Sequence, residues 1–102
     1  MYRYTTPTLP ITISDINFAD VVLFRVAIEQ GSTEMLKIIE SSDSSVDAQN
    51  KTVYVPLTQE ETAQFKDGMA QVQVRVKFAN DAVLATNKAK VSVNDVLDEV
   101  II

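Results

Sequence analysis

The chain has 102 residues, 46% of them hydrophobic and 23% charged, with 14 acidic against 9 basic side chains and a formal net charge of −5. That length makes one domain, residues 1–102, able to bury roughly two thirds of the surface its unfolded form exposes; the acidic balance repels phosphate backbones and anionic membrane surfaces, so neither nucleic acid nor membrane is an expected partner. With no cysteine and no histidine the chain has no disulfide, no thiolate metal site, no thiol nucleophile, no serine-histidine pair and no side chain that titrates unperturbed near neutral pH.

Met1-Tyr2-Arg3-Tyr4-Thr5-Thr6-Pro7 contains no apolar stretch of the length a secretory signal needs, so export by that route is not expected. The longest purely apolar run before a charge is Val21-Val22-Leu23-Phe24, closed by Arg25, whereas a membrane-spanning helix needs about 20 residues. Leu9 to Ile13 reads as a first strand, at a sheet edge because Pro7 and Pro10 cannot donate to a ladder. Val21 to Glu29 is a second, longer strand with Val22, Phe24, Val26 and Ile28 on one face. Its other face carries Val21, Leu23 and Ala27, so the strand is either central and covered by the chain itself or part of an oligomer contact.

Gly31 breaks this strand, and Met35 to Ile39 returns antiparallel. A two-residue Gly31-Ser32 turn would set Glu29 against Glu34 and Val26 against Lys37. A three-residue loop, Gly31 to Thr33, sets Ile28 against Leu36 and Val26 against Ile38; keeping like with like favours this longer loop. Glu40 to Lys51 is dominated by small polar residues and reads as a mobile loop. Thr52 to Leu57 is a strand with Val53, Val55 and Leu57 inward. Thr58 and Glu61 have the spacing of a capping box, and Lys66 with Gly68 makes a stop, so residues 59–66 form a short helical turn pinned to the core by Phe65.

The unbroken alternation from Ala70 to Phe78 is the clearest half-buried strand in the sequence, and it should lie centrally. Asn80-Asp81 suits a tight reversal into Val83 to Val93. Pairing Phe78 with Val83 sets Val76 on Ala85, Val74 on Asn87 and Val72 on Ala89; the misplaced amide predicts a bulge or a sheet rim at Asn87. Six or seven short strands with one helical turn describe an all-β, two-sheet antiparallel sandwich of immunoglobulin-like type. The sequence then ends in Val96-Leu97-Asp98-Glu99-Val100-Ile101-Ile102, apolar side chains that need a cover.

Little here carries chemistry. Gly31 and Gly68 are the only glycines, so no phosphate-cradling loop can be written and no cofactor is expected. Carboxylates cluster at Glu60-Glu61, at Asp43 with Asp47, and at Asp95, Asp98 and Glu99. A helix N-terminus and solvated loops explain them better than a catalytic pair or a metal site, and no catalytic or metal-binding residue is assigned. Arg75, Lys77, Lys88 and Lys90 could form a basic stripe on the last hairpin, with a solvated, edge-protecting face the simpler meaning. Tyr2, Tyr4 and Tyr54 could stack on a sugar, against ordinary packing of an arm and a strand.

The segment Leu57-Thr58-Gln59-Glu60-Glu61-Thr62-Ala63-Gln64-Phe65-Lys66-Asp67-Gly68, with Val72-Gln73-Val74-Arg75-Val76, Lys90-Val91-Ser92-Val93 and Val96-Leu97, resembles short prophage-encoded proteins of Gram-positive bacteria. These in turn are similar to the N-terminal domain of phage baseplate upper proteins. Two features depart from that pattern: Asn80-Asp81 stands in place of an aspartate-glycine turn, and Asn94 to Ile102 lacks glycine. The resemblance implies an immunoglobulin-like sandwich and a non-enzymatic structural or assembly role in a phage tail or baseplate. It also implies other tail or baseplate subunits, or further copies of the chain, as partners, and a place in the bacterial host cytoplasm during assembly or in the virion tail. The expected partner-contacting residues are Val96, Leu97, Val100, Ile101 and Ile102. A carbohydrate-binding module using the three tyrosines is the alternative, and a carboxylate hydrolase ranks last.

Overall fold

Two long strands organise the molecule, and the computed structural model, which describes residues 1–102, pairs them along almost their whole length. They are β2, Val21–Gln30, and β6, Gly68–Phe78; alternation puts Phe24, Val26 and Ile28 of one beside Val76, Val74 and Val72 of the other. All six are buried. β3, Thr33–Glu40, flanks β2, while β7, Val83–Ala85, and β8, Ala89–Val93, flank β6 on its far side. A second sheet of β1, Thr8–Thr12, β5, Thr52–Pro56, and β4, Val46–Asp47, covers the apolar face.

Strands thus run in the orders β1-β5-β4 and β3-β2-β6-β7/β8, all named pairs antiparallel. With the chain crossing between sheets after β1, β3 and β5, this is the B-E-D and C′-C-F-G arrangement of an immunoglobulin-like sandwich. Counting β7 and β8 as one interrupted strand, the strands number seven. β6 is central, as its alternation predicts. β4 lies inside the stretch read as a loop, its two residues held on Val53 and Thr52.

Between the sheets, Val53, Val55 and Leu57 meet the apolar face of β2 and β6, and Phe65 is fully buried with them. Phe65 arrives there through α1, Gln59–Ala63. Thr58 Oγ1 accepts from the Glu61 backbone N–H at 3.1 Å and Glu61 Oε1 accepts from the Thr58 N–H at 2.9 Å, the reciprocal capping box expected. The helix is shorter than the predicted 59–66, because Gln64 already caps it.

Three expectations of register are corrected. The β2–β3 turn is the two-residue Gly31-Ser32 turn, with Glu29 opposite Glu34 and Val26 opposite Lys37. Gly31, at φ 58°, supplies the positive φ that a two-residue hairpin needs at its first central position. This register turns Met35 and Ile39 inward, at the cost of an inward Lys37. Lys37 Nζ escapes the core by reaching both Glu61 oxygens at 2.9 and 3.0 Å, a partner on a distant element.

In β2, a bulge between Val21 and Leu23 exchanges faces, so Val21 is buried and Val22 exposed. At the last hairpin Asp81, at φ 69°, takes the left-handed position of a three-residue loop; Val83 therefore pairs with Lys77 and Leu84, not Ala85, with Val76. Four residues of chain from Ala85 to Ala89 then span three of β6, from Arg75 to Val72, so the pairing of Val72 with Ala89 is recovered through a bulge at Thr86–Lys88. The predicted irregularity at Asn87 is there. Thr86 fills it, giving a backbone bond to Val74 O at 2.9 Å and accepting the Val74 N–H on Oγ1 at 3.0 Å.

Candidate partner-contact site

Val93 is buried where β8 ends, and the chain then leaves the sheet. Asn94 still holds on, donating to Met1 O at 2.8 Å and accepting from Arg3 N at 2.9 Å beside an isolated parallel bridge to Tyr2. Beyond it no strand or helix forms over residues 95–102. Asp95 N donates to Asp67 Oδ1 at 3.2 Å, which fixes the segment to the start of β6.

Arg3 fastens this segment. Its guanidinium donates to Asp95 Oδ1 at 2.7 Å and Glu99 Oε1 at 3.0 Å, while its remaining N–H groups donate to the carbonyls of Ala63, the last residue of α1, and of Phe65 just past it. Only a rigid fork of donors can satisfy orphan carbonyls at a helix end and grip two carboxylates at once. The hydrogen bond to Asp95 holds the Arg3 pKa above its ordinary value, although partial desolvation opposes it. The Arg3 guanidinium also lies 5.2 Å from the ring centre of Tyr4. At the far end the Gln59 amide pairs with the Ile102 backbone in both directions, at 2.6 and 2.9 Å.

The apolar side chains of this fastened segment face solvent. Of the five residues expected to contact a partner, Val96 is half-buried, Leu97, Val100 and Ile101 are exposed, and Ile102 is 92% exposed. They lie together on one stretch of chain, close to α1 at the end of the molecule where β6 begins. The Arg3 clamp, Gln59 and Asp67 have no counterpart in the sequence pattern; their partners stand 28 to 96 residues away, and nothing local marks such pairs.

The other sequence candidates are dispersed. Tyr2 is at the N-terminal bridge and Tyr54 on the outer face of the small sheet, and the tyrosines line none of the main surface clefts. Asp43 accepts from Ser45 and Asp47 from Asn50, hydrogen bonds that lower both carboxyl pKa values and tie the loop on either side of β4. No group of three acidic side chains is placed to hold a metal ion. Arg75 and Lys77 do stand side by side along the outward face of β6, and Arg25 of β2 joins them.

No protein-family model matches the sequence, and no curated protein matches it significantly. Among solved structures it is similar to the extracellular domain of the voltage-gated sodium channel beta4 subunit, at 14% identity and a TM-score of 0.46, over 93% of this chain and 80% of that one. That protein was described as a parallel homodimer whose structure explains its role in cell-cell adhesion.

Proposed function

We propose that the chain is a non-enzymatic docking domain of prophage origin, a structural or assembly component of a phage tail or baseplate. The observation that carries this reading is the segment 95–102: charge-assisted hydrogen bonds hold its backbone and acidic side chains while Leu97, Val100, Ile101 and Ile102 remain in water. Apolar side chains held out on an ordered segment are characteristic of interaction sites, because a partner can cover them without first ordering the chain. The sandwich supplies a rigid base for that segment, and the resemblance of Leu57–Gly68 and the strands after it supplies the assembly.

The direct test is deletion of residues 96–102, read by light-scattering mass, melting temperature and binding to tail and baseplate proteins encoded beside the gene. Loss of binding or of oligomer mass with the sandwich still folded supports the reading. Unchanged mass, melting and binding would remove the segment from any contact. Binding to a glycan array that depends on Tyr2, Tyr4 or Tyr54 would instead favour a carbohydrate-binding role.

A further inference from the structure

The outward face of the large sheet is the second place where folding leaves side chains unaccounted for. Cross-strand register sets it out in rows: Glu40, Leu23, Lys77 and Val83; then Ile38, Arg25, Arg75 and Ala85; then Leu36, Ala27 and Gln73. Leu36 and Ile38 are 47% and 56% exposed. Between the upper rows lies a cleft of about 410 Å³ lined by Leu23, Arg25, Ile38, Arg75, Lys77 and Val83, with Asp81 at its rim.

Arg25 and Arg75 are directly opposite one another on neighbouring strands. Like charges in that relation repel and destabilise a sheet, and neither guanidinium has an ion pair or a side-chain hydrogen bond to offset this. Lys77 adds a third positive charge, relieved only by a long 3.8 Å approach to Asp81. A cleft that sets Leu23, Ile38 and Val83 beside two arginines without ion pairs fits one class of occupant: a polypeptide segment that brings carboxylate and aliphatic side chains together.

The molecule itself carries such a segment. Asp98 makes no ion pair, and Val100 and Ile101 stand exposed after it. The segment is tied to Asp67 and Gln59 near the start of β6, whereas the cleft lies around Arg75 and Lys77 near its end, about 26–33 Å away at 3.3 Å per residue. Along a molecule 46 Å in its longest dimension, the two surfaces belong to different ends.

We propose that residues 96–102 of one copy dock in the Arg25–Arg75 cleft of a second copy, Asp98 between the guanidiniums and Val100 and Ile101 against Leu23, Ile38 and Val83. This rests on the docking role of the segment and names its acceptor. Because donor and acceptor surfaces differ, the contact is heterologous and continues from copy to copy, into a ring or an open chain.

The test uses the full chain with two sets of substitutions, Arg25→Glu with Arg75→Glu and, separately, Asp98→Ser with Ile101→Ser, each checked for a cooperative melt. The unaltered chain should exceed its monomer mass of 11.3 kDa in sedimentation or light scattering as concentration rises, and lose mass at high salt. Each variant alone should associate at least roughly tenfold more weakly. Mixed, they should form a dimer and nothing larger, since one retains only the segment and the other only the cleft.

A chain monomeric at every concentration, self-association that survives Arg25→Glu with Arg75→Glu, or folded variants that fail to pair when mixed would each overturn the proposal. If the chain is monomeric but deletion of 96–102 still abolishes binding to a tail protein, self-docking falls while the docking function stands.

Discussion

The two faces of the large sheet are built from the same strands and obey opposite rules. On the inward face Phe24, Val26, Ile28, Val72, Val74 and Val76 are all buried, and the close Phe18–Phe24 ring pair at 5.3 Å closes one end. On the outward face the same β2 and β6 present Leu23, Arg25, Ala27, Gln73, Arg75 and Lys77, next to exposed Leu36 and Ile38 of β3. The inner set is fully explained by folding, since apolar area removed from water stabilises at roughly 25 cal/mol per Å². The outer set removes little area and brings like charges together, so folding alone does not account for it.

The largest expected effect breaks that comparison on its buried side. Phe65→Ala removes a fully buried ring from between the sheets and should cost about 3–5 kcal/mol. In a domain of this size each kcal/mol is worth about 4–8 °C, so melting should fall by roughly 12 °C or more. At concentrations low enough to keep the chain monomeric, Ile38→Ser on the outward face should stay within about 0.5 kcal/mol. Chemical denaturation of both variants decides the matter; an Ile38→Ser loss comparable to that of Phe65→Ala would mean that the outward face is already packed against something in solution.

An intermediate effect is expected at Arg3, which joins sandwich and segment. Arg3→Met keeps an apolar stem but leaves Asp95, Glu99 and the carbonyls of Ala63 and Phe65 without their donor. Hydrogen bonds to charged groups contribute about 1.5–3 kcal/mol when protected from water, and those from Arg3 are part-exposed, so the cost should lie toward the low end. Hydrogen exchange gives the sharper reading: the amides of Asp95 and Ile102, which donate to Asp67 and Gln59, should lose protection while those of β2 and β6 keep theirs. Uniform loss across all of them would make Arg3 a core residue and not a clamp.

What could be read from the sequence follows the range of each interaction. The alternation of Ala70–Phe78 and the Thr58–Glu61 capping box are written in consecutive residues, and both stand in the structure as expected. The β2–β3 register was not legible, because pairing Val26 with Ile38 looks better than pairing it with Lys37 until Glu61 is known to lie within reach. In the same way, of the expected stripe of Arg75, Lys77, Lys88 and Lys90, Arg75 and Lys77 share the outward face of β6, but Arg25 joins them only because β2 and β6 are neighbours in the sheet. The apolar composition of segment 96–102 could be read from consecutive residues. Its clamp could not, since Arg3 finds its partners across almost the whole chain.

The smallest effect concerns the one inward charge that interrupts the inner face. Burial, the largest single influence on the Glu61 carboxyl, raises its pKa, but the hydrogen bonds from Lys37 and the Thr58 backbone outweigh it and leave the pKa below the ordinary value. A carboxyl with a lowered pKa in the folded state contributes stability that is present above the unfolded value, about 4.3, and is lost as pH falls through the folded one. The loss should be modest, about 0.2–1 kcal/mol, since the Lys37 and Glu61 side chains are 25% and 22% exposed and partly screened by solvent. Glu61→Gln keeps much of the cap geometry and removes the charge, so its deficit against the unaltered chain should be full at pH 7 and shrink as the solution is acidified below pH about 4.3. Urea denaturation of both proteins across that range measures it. A deficit that does not change with pH would show that Glu61 acts through its helix cap alone, and that Lys37 reaches the surface without needing a partner.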